Sequence, residues 1–402
     1  MNDTGHKPDK PDWGQLLRLF KPGQGVAPPL LAGRETELGK LALFLDSLRA
    51  NEAPPKDAVL FGPRGNGKTV LLGALEQACR GGKEIDVIAL TPSQVETRAD
   101  LAALLLYDNP GFMERLKPDS GGVDVSVFNI QWRSLGPAEQ DEHTRRHLIS
   151  LLRARCGHRP LLVTLDEAHT LDPDVGRVLL NASQLARRQG ARFLLVLAGT
   201  PNLSDHLDRI DATFWDRSEI IGVGRLSAAA TQEALVEPLA VHGITFDPEA
   251  LAEVGAESQR YPYFIQCWGA ALCAALAERR AARIDMAVVE AARPAFDSHR
   301  VRYFEKRRRE MNDRGLLPAA RVVAGRFREV DTVNESVLQD VLEDKLSLDS
   351  PDALESLGQL ARLDFIWAPP GSDIAEPGIP SLMNYVLAKA PEPAEDVAGG
   401  AE

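Results

Sequence analysis

One octet limits what this chain can fold into more than anything else in it. Gly62-Pro63-Arg64-Gly65-Asn66-Gly67-Lys68-Thr69 directly follows a short apolar run, Ala58–Phe61, and directly opens a helical pattern over Lys68–Cys79. Glycines at this spacing let backbone N–H groups turn inward around phosphate oxygens, and the following helix adds its positive N-terminal end. GxxxxGK[ST] is matched in full, so Gly62, Pro63, Arg64, Gly65, Asn66 and Gly67 are read as a phosphate cradle. In such a loop Lys68 reaches the β- and γ-phosphates and Thr69 ligates Mg²⁺. A strand-to-helix switch of this kind is where an open α/β sheet places its ligand.

The flanking sequence agrees with that fold. Further apolar strand candidates are Asp86–Leu90, Leu161–Leu165, Phe193–Ala198 and Glu219–Val223. Helical patterns lie between them at Arg98–Leu106, His143–Arg155 and Val175–Gln189. Buried strands alternating with helices predict an α/β fold, a parallel sheet with helices on both faces. Before it comes an extended arm, residues 1–32, holding one short helix at Trp13–Phe20, and then a helix over Glu35–Arg49. From Ser227 the pattern is wholly helical (Ala230–Val241, Asp247–Val254, Pro262–Glu278, Met286–Ala292). A third unit is expected from about Pro294. Its helices fall near Ser298–Asp313, Leu317–Phe327, Val333–Leu346 and Ala353–Leu363, ahead of a hairpin (FIWA, a PPGSD turn, IAEPGIP) and a closing helix. The expected domains are 1–32, 33–226, 227–292 and 293–390, with a disordered low-complexity tail at 391–402.

Leu161–Leu165 ends in two carboxylates, Asp166 and Glu167. Beside a phosphate cradle this pattern assigns Asp166 to the Mg²⁺ shell and Glu167 to the attacking water. His169 follows closely and is read as structural.

Composition excludes several classes. The 402 residues carry 46 Lys+Arg and 58 Asp+Glu, a net charge of −12, and 44% are hydrophobic, which suits a soluble globular protein. The longest apolar run, Cys267–Ala277, is far short of the roughly 18 residues of a membrane helix. The opening MNDTGHKPDKPDW has no apolar core of the signal-peptide type. Four cysteines without a CxxC pair argue against a disulfide scaffold or a zinc site. The chain is therefore expected to be cytoplasmic. From Gly315 onward 16 acidic residues face 6 basic ones, so −10 of the net charge lies there. The basic run Arg300, Arg302, Lys306, Arg307, Arg308, Arg309 and Arg314 is interleaved with Asp297, Glu305, Glu310 and Asp313. It reads as a solvated face or an interdomain contact, and as the best place for any phosphate contact.

Through these motifs the chain from about Leu31 to Ala292 resembles the AAA+ P-loop ATPases, specifically their origin-recognition-like branch, which also includes bacterial transposition and secretion ATPases. Gly33-Arg34-Glu35-Thr36-Glu37-Leu38 is similar to the box that precedes the phosphate loop in that branch. The resemblance implies ATP as the nucleotide, Leu31, Ala32 and Gly33 along the adenine, and a helical lid over residues 227–292. It places a first sensor at the end of Phe193–Ala198, where Thr200 is favoured over Asn202. It places an arginine finger at Arg217, in Phe214-Trp215-Asp216-Arg217, and hence a homo-oligomer. In the lid, Arg260-Tyr261-Pro262-Tyr263 departs from the common pattern: Tyr263 stands near where a second-sensor arginine belongs, and Arg260 replaces a glycine. Either Pro262 and Tyr263 contact the nucleotide, or Arg260 is a displaced sensor. The last unit resembles a winged helix. Its third helix, Asp352–Leu363, carries Asp352, Glu355 and Arg362, a balance that disfavours nucleic acid and favours a protein partner. The leading expectation is an Mg-ATP-hydrolysing ATPase that couples nucleotide state to assembly and partner recognition. The rivals are a slow-turnover signalling scaffold and a DNA-binding initiator or transposition helper.

Overall fold

A computed structural model describes residues 11–82, 84–107, 139, 148–150, 152–153, 155–211 and 213–389. It forms two compact units, Met1–Asp297 and Ser298–Glu402. The first is built on five parallel strands, β1 (Ala58–Phe61), β2 (Asp86–Leu90), β3 (Leu161–Leu165), β4 (Phe193–Gly199) and β5 (Glu219–Gly222), in the order β2-β3-β4-β1-β5. Every residue of the three inner strands is buried, which is why they read as unbroken apolar runs. The edge strands β2 and β5 keep partly exposed positions, and they are also the two that begin with a carboxylate. Asp57, at the foot of β1, is fully buried and holds the next layer in place. Its carboxylate accepts from Ser183 at 2.8 and 2.9 Å and from the Leu195 N–H at 3.2 Å, and pairs with Arg187 at 3.0 Å.

The strands fall where the apolar runs predict them, to within one residue. The helix Glu35–Arg49 stands as expected, and the one expected over Lys68–Cys79 runs three residues further, to Gly82. The helix expected over Arg98–Leu106 is regular only to Ala102 and widens into a π-turn over Ala103–Tyr107. The start of the one expected over His143–Arg155 lies outside the described residues. Two short helices the periodicity did not reveal, Leu203–Ile210 and Phe214–Arg217, lie between β4 and β5.

A helical bundle follows: Ala228–Ala240, Pro248–Ser258, Pro262–Arg279 and the start of Met286–Asp313, with a short parallel pair, β6 (Thr245–Phe246) and β7 (Arg283–Ile284). The expected break at Pro294 is absent: Met286–Ala292 and Ser298–Asp313 are one continuous helix. Proline costs a helix one hydrogen bond and a clash with the preceding turn. Here the flanking residues are held independently. Arg293 pairs with Glu253 at 2.9 Å, Glu290 at 3.2 Å and also Glu257, and Phe296 stacks on Trp268 with ring centroids 4.4 Å apart.

The second unit contains the rest of that helix, then Leu317–Phe327, β8 (Val333–Asn334), Glu335–Leu346, Ser350–Arg362, β9 (Ile366–Trp367), β10 (Ile374–Pro377) and Pro380–Ala388. Its small antiparallel sheet has the order β8-β10-β9, so the expected hairpin forms and gains a third strand. The reading of the basic run needs correction. Arg307 and Arg308 are buried, not solvated: Arg307 pairs with Glu310 at 2.6 Å and lies 3.7 Å from the buried Asp364, and Arg308 pairs with Glu305 at 3.4 Å. Phe304, Arg307, Arg308 and Met311 share the buried face at i, i+3, i+4 and i+7, while Arg302, Lys306, Arg309 and Arg314 face outward.

Candidate functional site

The carboxyl ends of β1, β4 and β3 lie side by side and carry the phosphate loop, Thr200 and the Asp166–Glu167 pair. Within the loop, Gly65 has φ +81° and faces the lid-side Tyr261, whose hydroxyl and ring a Cβ would strike. Lys68 is buried, and its ammonium donates to the Gly62 and Pro63 carbonyls at 2.7 and 2.9 Å. Asn66 is 1% exposed, yet neither its amide oxygen nor its amide nitrogen has a hydrogen-bond partner among the described residues. A buried amide of that kind is an unmet demand for polar contact, as a phosphate cradle requires. The Thr69 hydroxyl donates to an Asp166 oxygen at 2.6 Å, bringing two hard oxygen donors from the loop and from β3 to one point.

Glu167 follows with φ +51°, ψ +34°, a left-handed conformation that a non-glycine residue adopts only when its surroundings enforce it. Its N–H donates to Asp166 at 2.9 Å, and its carbonyl accepts from Thr170. The carboxylate lies 3.5 Å from the Arg64 guanidinium and 3.3 Å from His169 Nε2. Burial, reinforced by the charges of Arg64 and Lys68, lowers the His169 pKa to about 4, so the ring is neutral at physiological pH. Thr200 is buried and donates to Asn202 at 2.5 Å, so the two residues considered for the sensor form one unit. Arg217, in the turn Phe214–Arg217, pairs with Asp211 of its own chain at 3.2 Å and donates from Nε to the Thr213 carbonyl. Phe61 and Trp215 meet edge-to-face with centroids 5.1 Å apart, which fixes that turn beside the end of β1.

Arg34 does more than open a helix. It is 4% exposed and donates to the Asn66 carbonyl at 2.9 Å and the Gly224 carbonyl at 2.6 Å, and it pairs with Glu37 at 2.8 Å. It thereby clamps the phosphate loop to the chain leaving β5. Beside this clamp a cavity of about 290 Å³ runs from the loop (Arg64, Asn66, Lys68, Thr69) to an apolar end formed by Leu31, Ala32, Leu226, Ala234 and Ile265. Pro262, Tyr263 and Gln266 line it from the helix Pro262–Arg279, whereas Arg260 does not. Arg260 is exposed at φ +62°, which explains why a glycine is usual there, and its carbonyl accepts from Leu226. Tyr261 donates to the Arg64 carbonyl, and the Tyr263 N–H donates to that of Gly65 at 3.2 Å. The arm lines the cavity as well, through Lys21, Gly23, Gly25, Val26, Pro28 and Leu30, which the sequence reading did not foresee. The glycines of KPGQG were the available signal, since both adopt positive φ.

A five-stranded parallel sheet of this order, with a phosphate loop after β1 and Thr69 of that loop bonded to Asp166 at the end of β3, is the α/β P-loop fold of AAA+ type. Residues 30–197 match the family described as the AAA ATPase domain. No curated protein matches the sequence. Among solved structures, the Walker-type ATPase of Pyrococcus abyssi is similar in fold, with 16% identity, TM-score 0.55, 88% of this chain covered and 95% of that one. The ORC2 protein of Aeropyrum pernix in its ADPNP–ADP complexes has 13% identity, TM-score 0.52, and coverage of 92% and 98%. Its ADP form aligns similarly, with 14% identity, TM-score 0.52, and coverage of 92% and 100%. Among the described residues no helix is long and apolar enough to cross a membrane, and no group of three or more His, Cys, Asp or Glu side chains could hold a metal.

Proposed function

We propose that the chain binds Mg-ATP in the cavity above, hydrolyses it, and couples nucleotide state to assembly and to a protein partner. One observation carries this reading: the 2.6 Å approach of Thr69 and Asp166 beside Glu167, at the mouth of a phosphate loop. Mg²⁺ favours a few oxygen ligands and keeps the rest of its shell for water and phosphate, so one hydroxyl and one carboxylate fit it. Bound there, it would neutralise charge on the β- and γ-phosphates. Lys68 would turn from its carbonyl partners to the phosphates, and the loop N–H groups and Asn66 would hold their oxygens. Glu167 would take the proton of the attacking water, with Thr200–Asn202 orienting that water. Leu31 and Pro262 would bracket the base.

Gln266 is the neutral polar side chain on the helix face toward the apolar end of the cavity. Its primary amide both donates and accepts, so it can pair with the edge of a bound base. Arg217 would act on the nucleotide of a neighbouring copy. The winged-helix-like second unit would meet a partner with a basic surface, since the exposed part of Ser350–Arg362 carries Asp352 and Glu355 against Arg362. A slow, assembly-gated turnover is favoured by one feature, the pairing of Arg217 with its own Asp211.

Phosphate release measured against protein concentration tests the reading. Lys68→Ala should lose nucleotide binding, and Glu167→Gln should bind but hydrolyse roughly 10²–10⁴-fold more slowly. Wild-type binding by the first variant, or wild-type turnover by the second, would remove the corresponding assignment.

A further inference from the structure

The lid meets the phosphate loop through Tyr261 on the Arg64 carbonyl and the Tyr263 N–H on that of Gly65, and a further segment links the same two parts across the cavity. We propose that the N-terminal arm is that link: a strap anchored on the lid helix Pro262–Arg279 at one end and on the phosphate loop at the other, whose release sets the rate of nucleotide exchange. The inference rests on the nucleotide reading above and adds to it the part that governs exchange.

The strap can be followed residue by residue. Asp12 caps the turn Trp13–Leu16, accepting from the Gly14 and Gln15 N–H groups at 2.9 and 3.1 Å. The Arg280 guanidinium lies 5.5 Å above the Trp13 ring, a cation–π contact at the far end of the lid helix. Leu16 is wholly buried, and Phe20 packs on Gly269 so closely that a Cβ at residue 269 would overlap its ring. A glycine in mid-helix is unfavourable against alanine, so its presence beneath an aromatic ring has a packing reason. Beyond Phe20 the arm crosses the cavity as neither helix nor strand. Gly23 passes the Tyr263 ring, where a Cβ would lie 3.6 Å from it, and Gly25 passes Thr69, where a Cβ would lie 3.3 Å from the methyl group. Both glycines have positive φ, +77° and +64°, so the crossing segment bends at points where other residues would be strained. The arm then reaches buried Ala32 and the Arg34 clamp on Asn66.

A ligand in this cavity therefore touches lid, strap and phosphate loop at once. Its departure would displace a segment held by buried Leu16, by Phe20 on Gly269 and by Trp13 under Arg280. Side-chain anchors of this sort act mostly on dissociation rates.

Stopped-flow release of N-methylanthraniloyl-ATP with Mg²⁺ from the full chain tests the proposal. Two variants remove the anchor from opposite sides: Phe20→Ala deletes it, and Gly269→Ala fills its seat. Both should speed release by at least about tenfold, with a smaller change in Kd because entry also accelerates. Circular dichroism and urea unfolding establish that each variant is folded. Trp13→Ala, at the partly exposed outer anchor, must shift release in the same direction and keeps the test decisive if a core variant does not fold. Release within about twofold of wild type in the folded variants would overturn the strap. Failure of the wild-type chain to bind the analogue would instead overturn the nucleotide reading itself.

Discussion

Replacing Arg34 with methionine keeps an apolar stem of similar length and removes the guanidinium that joins three parts of the first unit. Two backbone carbonyls, of Asn66 and Gly224, lose donors at 2.9 and 2.6 Å, and Glu37 loses its partner at 2.8 Å. Hydrogen bonds to a charged group contribute about 1.5–3 kcal/mol each, and a buried acceptor left without a donor costs about 1–3 kcal/mol. Desolvation works the other way. Burial is the largest influence on Arg34 and holds its pKa below the usual arginine value, so removing the charge returns part of that cost. The balance is a loss of about 3 kcal/mol, since two orphaned carbonyls outweigh one relieved desolvation. At about 2–4 °C per kcal/mol for a unit of this size, the melting transition of the first unit should fall by roughly 6–12 °C. Scanning calorimetry without nucleotide, beside urea unfolding, measures it. Arg34→Lys should fall between the two, because an ammonium cannot span both carbonyls in a fixed fork. A loss under about 1 kcal/mol for Arg34→Met would refute the clamp and return this motif to an ordinary helix start.

Three further outcomes follow from particular contacts. Arg217→Ala should cost under about 1 kcal/mol of stability, because its pair with Asp211 is partly exposed, yet reduce turnover by orders of magnitude; mixing it with Glu167→Gln should restore some activity, and turnover equal to wild type would dismiss the finger. Replacing Arg302, Lys306 and Arg309 together should abolish any weak, salt-dependent duplex binding and leave the fold intact, whereas Arg307→Ala should destabilise the second unit by roughly 3 kcal/mol, because it removes a buried cation from beside Glu310 and the buried Asp364; equal melting curves would contradict this division. Because the folded-state pKa of His169 is depressed from 6.5 to about 4, the unfolded chain binds the extra proton first. Its contribution to stability is complete above about pH 6.5 and is lost as pH falls toward 4. His169→Gln should flatten that stretch of the stability–pH curve, and an unchanged curve would place the titration elsewhere.

The sheet was legible in the sequence because its inner strands are buried on both faces, so β1, β3 and β4 read as continuous apolar runs with sharp ends. The phosphate loop and the Asp166–Glu167 pair were legible because function there demands fixed residue types at fixed spacing. What escaped had no such signature. Lys21–Leu30 has no periodicity, and its place along the cavity follows from where Phe20 is anchored. The helix Leu203–Ile210 is short, with no side-chain cap at its start. Pro294 suggested a boundary, but helix continuity was decided by Arg293 and Phe296, whose partners lie up to forty residues away in the chain. Arg307 and Arg308 looked solvated because charge runs usually are, and only the three-dimensional position of Asp364 and Glu305 shows otherwise.

The position of β1 between β4 and β5 has a consequence for how the protein breathes. The strand is paired on both sides over its whole length, and the ladder continues past it: the Phe61 carbonyl accepts from Val223 at 2.7 Å, and the Asp57 carbonyl accepts from Glu219 at 2.8 Å. Amides in such a strand exchange with deuterium only when the whole unit opens, whereas those of an irregular segment exchange through local fluctuations. The phosphate loop is thus rooted in a strand whose amides should exchange slowly, and it faces an irregular segment, Lys21–Leu30, whose amides should exchange fast. Nucleotide would enter between an immobile floor and a yielding wall, and an exchange map should show its protection growing almost entirely on the wall.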